Sequence, residues 1–211
     1  MLSLWQNGPI LAIMRTMRRA LNPLALSIFA AGLASLASAQ DGTTTDQEPT
    51  VKVDNYLGVS IGTYLPFDGD VRDAFGDAPI SYGIALAQPY RTARRGLRFD
   101  VTSLGLNSNG NNFFLLGGTV GYEVQGLKQG DRPTAFARAG IGPAFYHYDV
   151  DRAGNGNDAR GDKISFIGTA EVGYTFANRF ILSGRYLATP SMDGLNFSGL
   201  QFSLTYAAFK L

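Results

Sequence analysis

Eight short segments in which apolar and polar residues alternate, separated by turns rich in Gly, Asn and Asp, constrain this chain more than any other feature. A period of two puts apolar side chains on one face of an extended strand and polar ones on the other. The first segment sets Leu57, Val59, Ile61, Leu65 and Phe67 against Tyr56, Gly58, Ser60, Gly62 and Tyr64. Next come Ile80, Tyr82, Ile84 and Leu86, then Leu97, Phe99 and Val101, where the apolar set slips parity near Leu104 and predicts a bulge. The fourth carries Phe114, Leu116, Val120, Tyr122 and Val124, and the fifth Ala135, Ala137, Ala139, Ile141 and Phe145, with Pro143 weakening its ladder. The sixth carries Ile164, Phe166, Val172, Tyr174 and Phe176, the seventh Phe180, Leu182 and Tyr186, and the last Leu200, Phe202, Leu204 and Tyr206. A three-residue turn of Ala177, Asn178 and Arg179 pairs Phe176 with Phe180 on one face. The pattern predicts an all-β chain: an antiparallel up-and-down transmembrane β-barrel of about eight strands.

The start of the chain is read separately. Arg15, Arg18 and Arg19 precede an apolar stretch from Leu21 to Leu36 that closes in Ala37-Ser38-Ala39, the pattern of a signal peptide cut before Gln40. Met14 or Met17 would begin a more ordinary leader than Met1. Residues 40–54 read as a polar tether and 55–211 as the barrel. None of the 17 acidic residues and three of the 18 basic ones lie in the leader, so the mature part carries a net charge of −2 and nucleic acid is not an expected partner. The chain has no cysteine, and beyond the leader no apolar run approaches the ~20 residues of a membrane-crossing helix. A membrane would be crossed by strands.

Alternation does not say which face is inside. A soluble barrel turns its apolar face to the core, whereas an outer-membrane barrel turns it to lipid and fills its lumen with the other. Here the polar faces are crowded with Gly, Ala and Ser, as a narrow lumen requires, and the apolar faces carry Phe and Tyr suited to interfacial girdles. Glycine, at 26 of 211 residues, is abundant for a soluble sandwich. Six charges fall on the polar faces, namely Arg98, Arg138 and Arg185 with Asp100, Glu123 and Glu171. Three of each sign suit an ion-paired network closing a lumen; six independent charges on a wetted face are the plainer reading.

The opening strand Tyr56-Leu57-Gly58-Val59-Ser60-Ile61-Gly62, the strands Gly117-Gly118-Thr119-Val120-Gly121-Tyr122 and Glu171-Val172-Gly173-Tyr174, and the last, Leu200-Gln201-Phe202-Ser203-Leu204-Thr205-Tyr206, together resemble the eight-stranded outer-membrane barrels of the OmpA, OmpX and OmpW type. The resemblance implies a Gram-negative outer membrane, contact with its lipids and lipopolysaccharide, and insertion by the barrel-assembly machinery. That machinery reads a terminal aromatic residue in the family; this chain ends Phe209-Lys210-Leu211. With both barrel ends in the periplasm, segments 68–79, 107–112, 149–161 and 190–194 become the extracellular loops. The first carries Asp68, Asp70, Asp73 and Asp77, and the third Asp149, Asp151, Asp158 and Asp162 with Asn155 and Asn157. Neither has the ligand spacing of an EF-hand, so both are expected as solvated loops, with no metal and no cofactor. Arg91, Arg94 and Arg95 form a basic turn on the opposite side, able to meet phospholipid headgroups.

Enzymatic readings find little support. His147 is the one histidine, near the outer end of the fifth strand, where barrel enzymes that deacylate lipid A keep a His-x-Ser pair; here Tyr148 and Asp149 follow it. The Gly140-x-Gly142 and Gly117-Gly118 pairs lack the lysine and helix of a phosphate loop. The expected function is a non-enzymatic, monomeric barrel with a side-chain-filled lumen and a structural or surface-contact role. A narrow pore for water, ions or small solutes is the first alternative and a soluble lipocalin-like periplasmic binder the second.

Overall fold

The computed structural model describes residues 55–87, 95–125, 134–151, 158–176 and 179–211, all within one compact unit, Val51–Leu211. The leader, the tether, Arg91 and Arg94 lie outside the described residues. Among the described residues the strands are β1 (Tyr56–Pro66), β2 (Ile80–Ala87), β3 (Arg95–Ser108), β4 (Asn111–Gln125), β5 (Thr134–Val150), β6 (Ala159–Phe176), β7 (Phe180–Ala188), β8 (Ser191–Met192), β9 (Leu195–Asn196) and β10 (Gly199–Lys210), with one short helix, α1 (Gly69–Phe75). Eight of them close into an antiparallel barrel in the order β1-β10-β7-β6-β5-β4-β3-β2, and β8–β9 is a separate two-stranded hairpin. Among the described residues no helix is long and apolar enough to cross a membrane.

Face assignment follows the alternation. Leu97 and Ile164 are about three-quarters exposed (76% and 75%), and Ile61, Val120, Phe166, Val172 and Leu182 also face out, while Glu123 and Arg185 are buried at 2% and 6%. On β6 the outward row runs Ile164, Phe166, Gly168, Ala170, Val172, Tyr174 and Phe176. At the usual strand rise and tilt it covers roughly 28 Å along the barrel axis, the thickness of a hydrocarbon layer. The lipocalin-like alternative requires the reverse arrangement and is overturned by these exposures. Phe176 and Phe180 pair across the turn with ring centroids 5.8 Å apart, and Phe180 meets Tyr206 at 5.0 Å, forming part of an aromatic girdle at the end that bears the barrel's two chain ends.

Two local irregularities differ from the alternation. The bulge expected near Leu104 is absent: β3 pairs with β4 without a break from Arg95↔Val124 to Ser108↔Asn111, closed by an Asn109-Gly110 turn with φ of +52° and +85°. Leu104 and Leu106 keep the inward parity of Asp100 and Thr102; it is the lumen that becomes apolar there. A register shift occurs instead between β1 and β10, with the bulge on β10: Leu57 pairs with Phe209 and Gly58 with Ala207. The extra residue, Ala208, re-aims the strand end so that Phe209 joins the outward row. Pro143 acts as expected: β4 and β5 lose their pairs between Gly117↔Ala144 and Val120↔Ile141.

The expected solvated loop at 68–79 is a folded element. Asp68 caps α1, its Oδ1 accepting from Asp70 N at 2.9 Å and Val71 N at 3.2 Å. Val71, Ala74 and Phe75 are buried, and of the four aspartates Asp70, Asp73 and Asp77 point to solvent. Segment 190–194 likewise contains β8 and the turn of the β8–β9 hairpin. The sequence offered no apolar period long enough to announce either element, because each buries only two or three side chains.

Candidate functional site: a filled lumen

Four of the six expected lumen charges sit in one cross-strand row. Glu123 pairs with Arg138, Arg138 with Glu171 and Glu171 with Arg185, so charge alternates over β4, β5, β6 and β7. Neighbouring same-face positions bring side chains within reach of one another, and opposite signs there attract. The Arg138 guanidinium lies 2.6 Å from Glu171, 3.1 Å from Asp100 and 3.8 Å from Glu123. Arg185 donates to Glu171 from Nε at 2.7 Å and to the Thr102 hydroxyl at 3.1 Å. Asp100 reaches in from β3 and stands 3.9 Å from Arg185, and Arg98 donates to both Glu123 and the Leu86 carbonyl. All six residues therefore meet in one connected cluster, with three guanidinium groups against three carboxylates.

The geometry carries an energetic consequence. Each ion left water at a cost of several kcal/mol, and only mutual attraction together with near-complete hydrogen bonding offsets it. Oδ1 of Asp100 is buried without a hydrogen-bond partner among the described residues. Asp100 also lines a small gap of about 10 Å³, room for about one water, with Thr119, Gly121, Gly140 and Thr169 beside Arg98 and Arg138. Gly121 and Gly140 are paired across β4 and β5; a Cβ on Gly121 would run into the Ala139 carbonyl, so no side chain can fill the hollow from there.

Towards the loop end the filling changes character. Tyr64, Leu104, Leu106, Phe113, Leu115, Tyr146, Tyr148, Val150, Ile167 and Leu187 point inward from the wall, and Val71, Phe75, Met192, Leu195 and Phe197 come down from the loops to meet them. Phe197 stacks on Phe113 at 3.9 Å with rings 11° apart, and Phe75 and Tyr148 approach it at 6.5 Å and 6.3 Å. Polar ties fasten this plug. Tyr64 donates to the Phe197 carbonyl, and Asn111 donates to Ala74 O at 2.9 Å and accepts from Asp151 N at 2.6 Å. Asp68 Oδ2 accepts from Asn196 N at 3.2 Å, binding α1 to the β8–β9 hairpin. Asp193 accepts from the Tyr148 hydroxyl and, at 2.5 Å, from Lys163. At the opposite end Tyr56, Ala87, Ala207 and Ile181 form a second, smaller apolar cluster.

Sequence reasoning missed the aromatic plug, although it left a trace. Phe113-Phe114-Leu115-Leu116 is apolar on both parities, and so is the Leu104 region: a continuous apolar run marks a strand buried on two sides rather than a slipped one. Tyr64 and Tyr146 stood on the nominally polar face, where a large aromatic ring already argued against a lumen lined by small residues alone.

His147 lies outside the lumen, on the outward face of β5. Its Nδ1 is 2.7 Å from Asp162 Oδ1, and Asp149, two residues on, is held by Arg160 at 2.8 Å. A histidine oriented by an acid is half of a nucleophile-activating arrangement, but the position that would present the hydroxyl carries a carboxylate. Among the described residues no three His, Asp or Glu side chains are placed to hold a metal.

No family model matches the chain, and no curated protein matches it. Solved structures similar to it include Neisserial surface protein A, at 12% identity and TM-score 0.46, covering 73% of this chain and 97% of that one. Ail, the attachment invasion locus protein of Yersinia pestis, gives 11% identity and TM-score 0.43 over 74% and 99% of the two chains. The outer membrane enzyme PagL gives 21% identity and TM-score 0.40 over 71% and 97%.

Proposed function

We propose that this chain is a small, non-enzymatic outer-membrane β-barrel with a closed lumen, serving envelope structure or surface contact rather than transport. The observation that carries the reading is the inside-out distribution of side chains: a continuous apolar exterior the height of a bilayer core around an interior of paired ions and stacked aromatics. The role of the six charges is to lock β3 to β7 together across the lumen, so that water and ions find no continuous path. The N-terminal leader directs export and is removed, the assembly machinery inserts the barrel, and the protein stands as a monomer among phospholipid and lipopolysaccharide. α1 and the β8–β9 hairpin then form its outward surface, with Asp70, Asp73 and Asp77 in solvent.

A narrow pore is the one rival with an observation of its own, the hollow beside Asp100, Thr119 and Thr169. In a strain lacking the gene, the closed-barrel reading predicts greater sensitivity to detergents and to antibiotics excluded by the outer membrane, restored by the intact gene. Unchanged envelope sensitivity combined with slower uptake of a small hydrophilic solute would replace it with the pore.

A further inference from the structure

The β7–β10 hairpin does not end where its ladder stops. Regular pairing runs up to Leu187↔Gly199, breaks over Ala188-Thr189-Pro190 and Phe197-Ser198, and resumes as Ser191↔Asn196 and Met192↔Leu195 in β8–β9. The β8–β9 tip is thus the continuation of the same hairpin beyond an interruption. At the interruption Pro190 has no N–H to give, and the Ser198 hydroxyl stands in for the ladder: it accepts from Thr189 N at 2.9 Å and donates to Thr189 O at 3.2 Å. A side chain in place of backbone pairing is a point about which two strands can turn together.

Beyond it, the tip is turned inward. Met192, Leu195 and Phe197 are buried in the aromatic plug, while Asp193 and Gly194, at φ of +50° and +84°, form the tight turn that closes the hairpin. Asp193 holds that turn to the neighbouring wall through Lys163 on β6 and Tyr148 on β5. No backbone hydrogen bond joins the tip to β6 among the described residues; the ladder between β6 and β7 ends at Gly168↔Ala188. Side chains keep the tip seated: beside the Asp193 contacts, Tyr64 donates to the Phe197 carbonyl and Asp68 Oδ2 accepts from Asn196 N at 3.2 Å.

We propose that Ser191–Phe197 is a hinged lid on the loop end of the lumen, pivoting at Thr189-Pro190 and Ser198, bolted by Phe197 and latched by Asp193 against Lys163 and Tyr148. Lifting it withdraws Met192, Leu195 and Phe197 and bares an apolar chamber walled by Phe113, Leu115, Tyr146, Tyr148, Ile167 and Leu187. The ion cluster lies deeper and is untouched by the movement, so the lid exposes the chamber without opening a path through the barrel.

The chain's lack of cysteine makes the lid testable. A single Leu115→Cys variant places one thiol in the closed chamber, and a water-soluble maleimide reports its exposure in the folded, lipid-inserted protein. Labelling is expected to be slow in that parent, roughly tenfold faster once Asp193→Ala removes both latch contacts, and about threefold faster with Lys163→Met, which removes only the exposed one. The heat-dependent gel shift of an intact barrel is measured on each sample, and Lys163→Met decides the matter if Asp193→Ala fails to fold. Equal rates in parent and latch variants would overturn the lid, as would a parent that labels as fast as an exposed control cysteine. Conductance plays no part in this readout, so the lid and the closed-lumen reading stand or fall separately.

Discussion

Phe197 and Arg138 each sit at the centre of a filled lumen, yet they hold it by opposite means. Around the Phe197 ring the contacts are ring against ring and aliphatic, with no direction beyond shape, the directional tie being that of the Tyr64 hydroxyl to its backbone carbonyl; burial of the apolar surface stabilises, and neighbours can re-pack. Around Arg138 three carboxylates converge, and the stabilisation is conditional on every partner being present. Each kind of filling suits its own end of the lumen. The aromatic half lies where loops must be gathered from several places, a task suited to adaptable contacts. The charged half ties strand to strand in a fixed register, since a one-residue slip would turn each of its charges towards lipid.

Arg138→Ala has the largest expected effect, about 3–5 kcal/mol, because Glu171, Asp100 and Glu123 remain buried with one fewer cation; urea-unfolding midpoints in lipid vesicles measure it. Replacing a whole pair, Arg98→Met with Glu123→Met, should by contrast leave stability near that of the parent, and a loss as large as that of Arg138→Ala would show that the pair is more than self-compensating. Phe197→Ala comes next, at about 3 kcal/mol, with Leu115→Met below about 1.5 kcal/mol, as expected of a layer that responds to volume. Asn111→Ala frees the Ala74 carbonyl and the Asp151 amide and should cost about 1–2 kcal/mol, read as earlier proteolysis near α1. Arg160→Ala, on the exposed outer face, is expected to change nothing measurable in the same unfolding assay.

Much of this architecture could be read from the amino acids, for identifiable reasons. Strand existence, face and the Phe176–Phe180 pairing followed from a period of two that lipid and lumen enforce along the whole wall. The six charges could be picked out because a charged residue on a strand must face inward if the other face meets hydrocarbon. Their order in space could not: that Glu123, Arg138, Glu171 and Arg185 share one row depends on strand stagger, which parity does not encode. The aromatic plug was obscured because Leu104 and Phe113 break alternation where the lumen itself changes chemistry, and this imitates a bulge. α1 was hidden in an acid-rich stretch whose first aspartate is a cap and a cross-tie rather than a solvated charge.

If the ion cluster and the aromatic plug both seal the lumen, no continuous path runs through the barrel. Single-channel recording on the protein purified from membranes and reconstituted in a planar lipid bilayer tests it most directly, with insertion verified by protease protection of the same sample. The account predicts inserted protein with no conductance steps; stable, reproducible steps from the unmodified protein would contradict it and make the space beside Asp100 part of a conducting pathway.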